Sequence, residues 1–272
     1  MNERNPQAAQ MADESMVRTL AAQIEAIWPQ ESALLERYGL KAGQRAIDVG
    51  CGTGEFSSRL AARVPGLWVL GVDLLSSSVE LARDRYRDLA STLRFEVGDA
   101  FALDAPDGSF DLAVCRHMLQ AVPHPELVLA ELLRVVAPGG WLHALSEDYG
   151  MLHMMSGPLD TDELWRRGPI DYTARTGTDA RLGRKTWSLL QQAGLQDLRV
   201  DYVVVDTLRV PRQTFADILI AWRDGYVEAL ADGSDWSTEQ FRQQFDQVIA
   251  GILDPAQYAV WFVPVISGRT SN

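Results

Sequence analysis

At 272 residues, with 47% hydrophobic and 23% charged positions, the chain has apolar material for one sizeable core with additions and is short for two independent domains. A formal net charge of −12 argues against a nucleic-acid partner, and no apolar run approaches the 18 residues of a membrane span. Cys51 and Cys115 supply neither a disulfide framework nor a zinc site, and Met1 to Ser15 lacks the basic and apolar regions of a signal peptide, so a cytoplasmic location is expected.

Residues 1–15 read as flexible. Apolar residues at Val17, Leu20, Ile24, Ile27, Leu34 and Leu35 recur at helical spacing, and Pro29 divides them into two predicted helices. Strand and helix then alternate. Strands are expected at Arg45–Val49, Trp68–Val72, Leu93–Val97, Phe110–Cys115 and Trp141–Ser146. Helices are expected at Glu55–Arg63, Ser76–Ala90 and Pro125–Val136, the last stopped by Pro138-Gly139-Gly140. This alternation indicates an α/β fold built on a parallel, doubly wound sheet. Residues 147–178 read as loop-like, with Gly150, Gly157-Pro158, Gly168-Pro169 and Gly177, yet they carry Tyr149, His153, Met154, Met155, Trp165 and Tyr172. A loop of that length is functional or disordered, and its aromatics favour function. A helix over 180–193, a strand at Leu198–Asp206, a helical stretch at Arg212–Ile252 and a strand at Tyr258–Ile266 complete the chain. Residues 1–40 form a predicted N-terminal helical lid, and residues 41–272 the main domain, with insertions at 147–178 and 207–257.

Gly50, Gly52 and Gly54 follow a predicted strand and open a predicted helix, where glycine permits a tight turn and close approach of backbone to ligand. The spacing is not the G-x-G-x-x-G of dinucleotide enzymes. Asp73 ends the second strand, where a carboxylate can accept both hydroxyls of a ribose, and Asp99 ends the third, placed for an adenine amino group. All three features lie at carboxyl ends of consecutive parallel strands, where open α/β sheets bind ligands.

With these residues in place, the chain resembles the class I, Rossmann-like S-adenosylmethionine-dependent methyltransferases, on the small-molecule branch that includes the ubiquinone and menaquinone enzymes. Asp48-Val49-Gly50-Cys51-Gly52-Thr53-Gly54 is similar to their first motif, Gly71-Val72-Asp73 to the second and Gly98-Asp99-Ala100 to the third. Phe110-Asp111-Leu112-Ala113-Val114 and the run Leu133 to Gly140 resemble the segments around strands four and five. The resemblance covers residues 40–146 and implies a seven-stranded, mostly parallel sheet with an antiparallel last strand, plus helical lid insertions. It also implies S-adenosyl-L-methionine as cofactor, held by Asp48, Gly50, Gly52, Gly54, Asp73, Leu74, Asp99, Ala100 and Arg116.

Methyl transfer from a sulfonium requires alignment and, for some acceptors, a base. Catalytic candidates are His117, two residues past strand four, and Tyr149 and His153 beyond strand five, among Met151, Leu152, Met154 and Met155. Glu147 and Asp148 are as well suited to pairing with arginines in 166–184; with His153 they approximate a metal set, but the spacing is not diagnostic and no metal is assigned. The expected partner is a small, cyclic methyl acceptor at an O, N or C atom, with no nucleic acid and no membrane; a homodimer is left open. The rival readings are a protein or nucleic-acid acceptor and a non-catalytic cofactor-binding module. Cys115-Arg116-His117-Met118, standing where base-amino methyltransferases carry Asn/Asp-Pro-Pro-Tyr/Phe, speaks against a nucleic-acid base.

Overall fold

The computed structural model describes residues 5–154 and 160–271. A short helix, α1 (Ala8–Met11), leads into α2 (Glu14–Leu34), where the Asp13 carboxylate accepts the Ser15 N–H at 2.8 Å. Where the sequence predicts two helices, one helix runs through Pro29 and ends in a 3-10 turn at Leu35–Tyr38. Burial of Ala22, Ala26 and Ile27 against one apolar cluster and of Ile24 against another outweighs the roughly 3 kcal/mol that an interior proline costs.

The alternating core follows as expected: β1 (Arg45–Val49), α3 (Glu55–Arg63), β2 (Trp68–Asp73), α4 (Ser76–Arg85), β3 (Leu93–Val97), β4 (Phe110–Arg116), α5 (Pro125–Val135) and β5 (Val136–Leu145). These strands run parallel in the order β3-β2-β1-β4-β5. Helices cover both faces, which is why the central strands read as near-continuous apolar runs. Pro138-Gly139-Gly140 lies inside β5 and not before it, beside a register shift between Phe110 and Leu112 of β4.

Beyond β5 come β6 (Leu152–Met154), α6 (Thr161–Trp165), a π turn at Arg166–Ile170, α7 (Asp171–Thr176), α8 (Gly183–Gln192), β7 (Gln196–Asp206), α9 (Arg212–Ala231), α10 (Thr238–Leu253) and β8 (Ala259–Arg269). β8 lies antiparallel between β5 and β7, which gives the seven strands and the antiparallel last strand. β6 is an eighth strand. It pairs with β8 on the edge β5 occupies, so residues 146–151 stand opposite only 262–264 and buckle away from the ladder. That detour carries Glu147, Asp148 and Tyr149.

The 147–178 insertion, expected to be loop-like, is largely helical where described; Met155 and Gly157-Pro158 lie outside the described residues. Its α6 packs into an apolar cluster with α9 and α10, in which Trp165, Phe215, Phe241 and Phe245 are buried. The predicted stretch 212–252 is two helices, the second opened by a capping box between Ser237 and Gln240. α2 lies along α9, and Gln30 takes both backbone groups of Val204 on β7, at 2.9 and 3.1 Å. Among the described residues, no helix is long and apolar enough to cross a membrane.

Candidate active site

The glycine loop joins β1 to α3. Gly50, Gly52 and Gly54 have φ of 77°, 52° and 86°, the left-handed region that a side chain resists. An added Cβ would lie 2.8 Å from Met118 Sδ at Gly50 and 2.5 Å from Leu20 Cδ1 at Gly52. α2 therefore lies directly over the loop. Gly54 differs: its Cβ would strike Phe95 at 2.6 Å, so it serves the packing of α3 on the sheet. Asp73 ties the loop to β2, accepting Gly52 N–H at 2.8 Å on Oδ2 and Leu75 N–H at 3.0 Å on Oδ1. Each oxygen keeps a second lone pair, as a ribose diol requires. Burial raises the Asp73 pKa, and the N–H groups of Leu75 and Gly52 oppose that rise. Asp99 accepts the Phe101 N–H at 2.9 Å.

One cavity joins this loop to the helical cover. Gly50, Gly52, Asp73, Leu74, Asp99 and Ala100 line one part of it; His117, Glu147, Tyr149, Tyr172, Trp222 and Phe245 line another. Where the two parts meet, the β5–β6 detour brings Glu147 to His117. Glu147 Oε1 accepts from His117 Nδ1 at 2.8 Å and from Gln23 Nε2 of α2 at 3.0 Å. Beside a carboxylate Nδ1 is the donor, and in the neutral ring Nε2 is then an acceptor. Nε2 is buried without a hydrogen-bond partner among the described residues. His117 holds a φ of 54°, a strained conformation for a non-glycine residue. Burial, reinforced by the Glu147 charge, raises the Tyr149 pKa far above its usual value, so this phenol is a donor and not a base.

Beneath the cavity runs a buried polar chain. Arg116 Nε donates to Glu31 Oε1 at 2.8 Å, His143 Nε2 contacts the same oxygen at 3.0 Å, and His143 Nδ1 contacts Tyr38 Oη at 2.7 Å. Burial alone would raise Glu31, but Arg116 and His143 hold its pKa down to about 2. The Arg116 guanidinium stacks 4.7 Å from the Phe56 ring and lines the cavity, and its Nη2 is buried without a partner among the described residues. A carboxylate fits that unsatisfied donor.

Of the cofactor candidates, Gly50, Gly52, Asp73, Leu74, Asp99, Ala100 and Arg116 line the cavity, and Asp48 and Gly54 do not. Asp48 lies under the loop, accepting Ser57 Oγ at 2.6 Å, and burial pushes its pKa up to about 6. Of the catalytic candidates, His117 and Tyr149 reach the cavity. His153 does not: it sits on β6 beside Val260 and lines a separate depression with Asp160, Glu163 and Arg184. The helical turn that would have put it on one face with Tyr149 ends at Met151, where strand pairing to β8 begins. Asp148 pairs with Arg184 at 2.6 and 2.8 Å, whereas Glu147 takes no arginine among the described residues. Cys51 and Cys115 are buried, and that burial raises both thiols. Gln23, Glu31 and Gln120 escaped the sequence reading. Gln23 and Glu31 stand four residues either side of Ile27 on the apolar stripe of α2, and polar residues in such a stripe are the signal that could have found them.

Residues 47–144 match the methyltransferase domain family. A 37.1 kDa protein from a Streptomyces fradiae transposon is 34% identical over 165 residues, 60% of this chain and 47% of that one. The ubiquinone biosynthesis O-methyltransferase of Methylococcus capsulatus is 34% identical over 118 residues, 43% of this chain and 49% of its own. The chain thus spans about half the length of the curated relatives it matches. The phosphoethanolamine N-methyltransferase 2 of Haemonchus contortus, solved with S-adenosyl-L-methionine, superposes on 90% of this chain and 53% of its own, with a TM-score of 0.57 at 20% identity, a likeness of fold. Glycine loop, matched carboxylates and strand order agree with that likeness: over residues 47–144 the chain matches the methyltransferase domain family.

Proposed function

We propose that the chain is an S-adenosylmethionine-dependent methyltransferase of a small molecule, with His117 as the base at the acceptor. The observation that carries this reading is one cavity that joins Asp73 and Asp99 to His117 Nε2, which has no hydrogen-bond partner among the described residues. When bound, the cofactor supplies an electrophilic methyl group on a sulfonium. Asp73 would accept its ribose hydroxyls, Asp99 and Ala100 would meet its adenine, and Arg116 would pair with its carboxylate. His117 Nε2 would take the proton of the acceptor group that receives the methyl. Glu147 is the positioning residue: it fixes the tautomer and stabilises the imidazolium that results. Tyr149 donates a hydrogen bond, and Trp222, Tyr172 and Phe245 exclude water.

Calorimetry with S-adenosylhomocysteine is the first test. Wild type binds, and Asp73→Ala weakens binding by about 1–3 kcal/mol, the cost of lost hydrogen bonds. His117→Ala lowers turnover by about 10²–10⁴ and leaves cofactor affinity in place. An unbound cofactor product, or a His117→Ala enzyme with parental turnover, overturns the reading.

A further inference from the structure

Two features beside the cavity need holding in place. His117 keeps a left-handed backbone with a φ of 54°, and residues 146–151 leave the ladder between β5 and β6, where strand pairing no longer fixes them. Both are fastened by one short segment, residues 179–184, which runs into α8. Asp179 N–H donates to the Gln120 carbonyl at 3.2 Å, and Gln120 Nε2 donates to the His117 carbonyl at 2.8 Å. On the other arm, Gly183 N–H donates to the Glu147 carbonyl at 2.9 Å, and the Ala180 carbonyl accepts Tyr149 N–H at 3.0 Å. Between those two bonds stands Asp148, which does not line the cavity that Glu147 and Tyr149 line. Its carboxylate is fully buried and takes the Arg184 fork, Nε on Oδ2 at 2.6 Å and Nη2 on Oδ1 at 2.8 Å. Two glycines permit this approach: a Cβ at Gly150 would lie 2.5 Å from Arg184 Nη2, and one at Gly183 would lie 2.6 Å from the Ser146 carbonyl oxygen.

We propose that Arg184 is a positioning residue for methyl transfer: by clamping Asp148 it sets the backbone on which Glu147 stands, and so the 2.8 Å contact of Glu147 Oε1 with His117 Nδ1. This rests on the methyltransferase reading and extends it to a residue outside the cavity, for Arg184 lines the separate depression beside His153. A carboxylate as buried as Asp148 has no water to turn to, so its orientation follows the guanidinium. Two parallel bonds from a planar fork fix a plane as well as a distance. The backbone bonds of Glu147 and Tyr149, one on each side, carry that orientation to the Glu147 carboxylate. With Glu147 held, the His117 ring is held too, with Nε2 left for the acceptor.

The test reads the imidazole protons by NMR in the full chain, labelled with 15N-histidine and saturated with S-adenosylhomocysteine. A ring N–H held by a carboxylate and shielded from water resonates downfield and exchanges slowly. His117 beside Glu147 and the fully buried His143 beside Glu31 each supply one, and His117→Gln assigns the first by removing it. Arg184→Met should lose the His117 signal, keep the His143 signal and bind S-adenosylhomocysteine within about threefold of wild type. An unchanged His117 signal in Arg184→Met overturns the inference. If both signals vanish, Asp148→Asn/Arg184→Met, which removes the buried charge together with its partner, is read in its place. Loss of the His117 signal alone then supports the inference; retention of it, or loss of both, overturns it. A wild-type chain that binds S-adenosylhomocysteine but shows no protected His117 proton also overturns it and leaves the methyltransferase reading standing. Failure of S-adenosylhomocysteine to bind wild type overturns both.

Discussion

Glu31→Gln tests the buried ion pair under the active site. The substitution keeps the volume of the side chain and removes the charge that faces Arg116 Nε at 2.8 Å. Glu31 and His143 are fully buried and Arg116 is nearly so, at 9% exposure, so solvent cannot replace the lost partner. Breaking such a pair costs about 3–5 kcal/mol. Proton linkage gives an independent figure. The Glu31 pKa falls from 4.5 to about 2 on folding, which corresponds to about 3 kcal/mol of stability. Because the folded pKa is the lower one, that stability is fully present above pH 4.5 and is lost as pH falls towards 2. Urea unfolding should thus place Glu31→Gln about 3 kcal/mol below wild type at pH 7 and only about 2 kcal/mol below it at pH 3.5. Arg116, freed from its anchor, should also bind S-adenosylhomocysteine more weakly. A destabilisation under about 1 kcal/mol, or one that does not change with pH, would refute the reasoning.

Three further outcomes follow from the site. Asp48 behaves in the opposite sense to Glu31: its pKa rises from 3.8 to about 6 on folding, so its stabilising proton is present below pH 3.8 and lost as pH rises through 6. Asp48→Asn, which keeps an acceptor for Ser57, should gain on wild type by about 1 kcal/mol between pH 5 and pH 8 in urea unfolding; a constant gap would count against it. Gly52→Ala forces alanine into a φ of 52° and against Leu20, costing about 1–2 kcal/mol for the backbone and up to about 1 kcal/mol for the contact. Adding Leu20→Ala should recover only the second part, and a double-mutant cycle without coupling would show that α2 does not cover the loop. Glu147→Gln should lower kcat and shift its pH profile while sparing cofactor affinity, whereas His153→Ala should leave kcat at the parental value; equal losses in the two variants would contradict the placement of His153.

The alternating core was legible because each strand and helix there satisfies a local rule. Arg45–Val49, Glu55–Arg63 and Leu93–Val97 fall where period and capping put them, and the Gly50 to Gly54 loop announces itself by residue type. The last third was harder to read because its helices take their stability from each other. Trp165, Trp222 and Phe245 mark a core only once α6, α9 and α10 have met. Pro29 misled for the same reason, since the surfaces that bury α2 and outweigh its cost lie in other parts of the chain.

By itself, then, the sequence determined the cofactor half of this protein: a doubly wound sheet, a glycine loop and carboxylates at successive strand ends, all written within about a hundred consecutive residues. The tertiary structure decided the proposed acceptor half. His117 and Glu147 lie 30 positions apart, Gln23 and Glu147 124 apart, and Glu31 and His143 112 apart, and none of these pairs leaves a periodic trace. Only closure of β8 against both β5 and β6 makes residues 146–151 buckle outward, and that detour is what carries Glu147 to His117. Hydrogen-bonded partners so distant in sequence are chosen by where the chain packs, a property of the assembled core and not of any local segment.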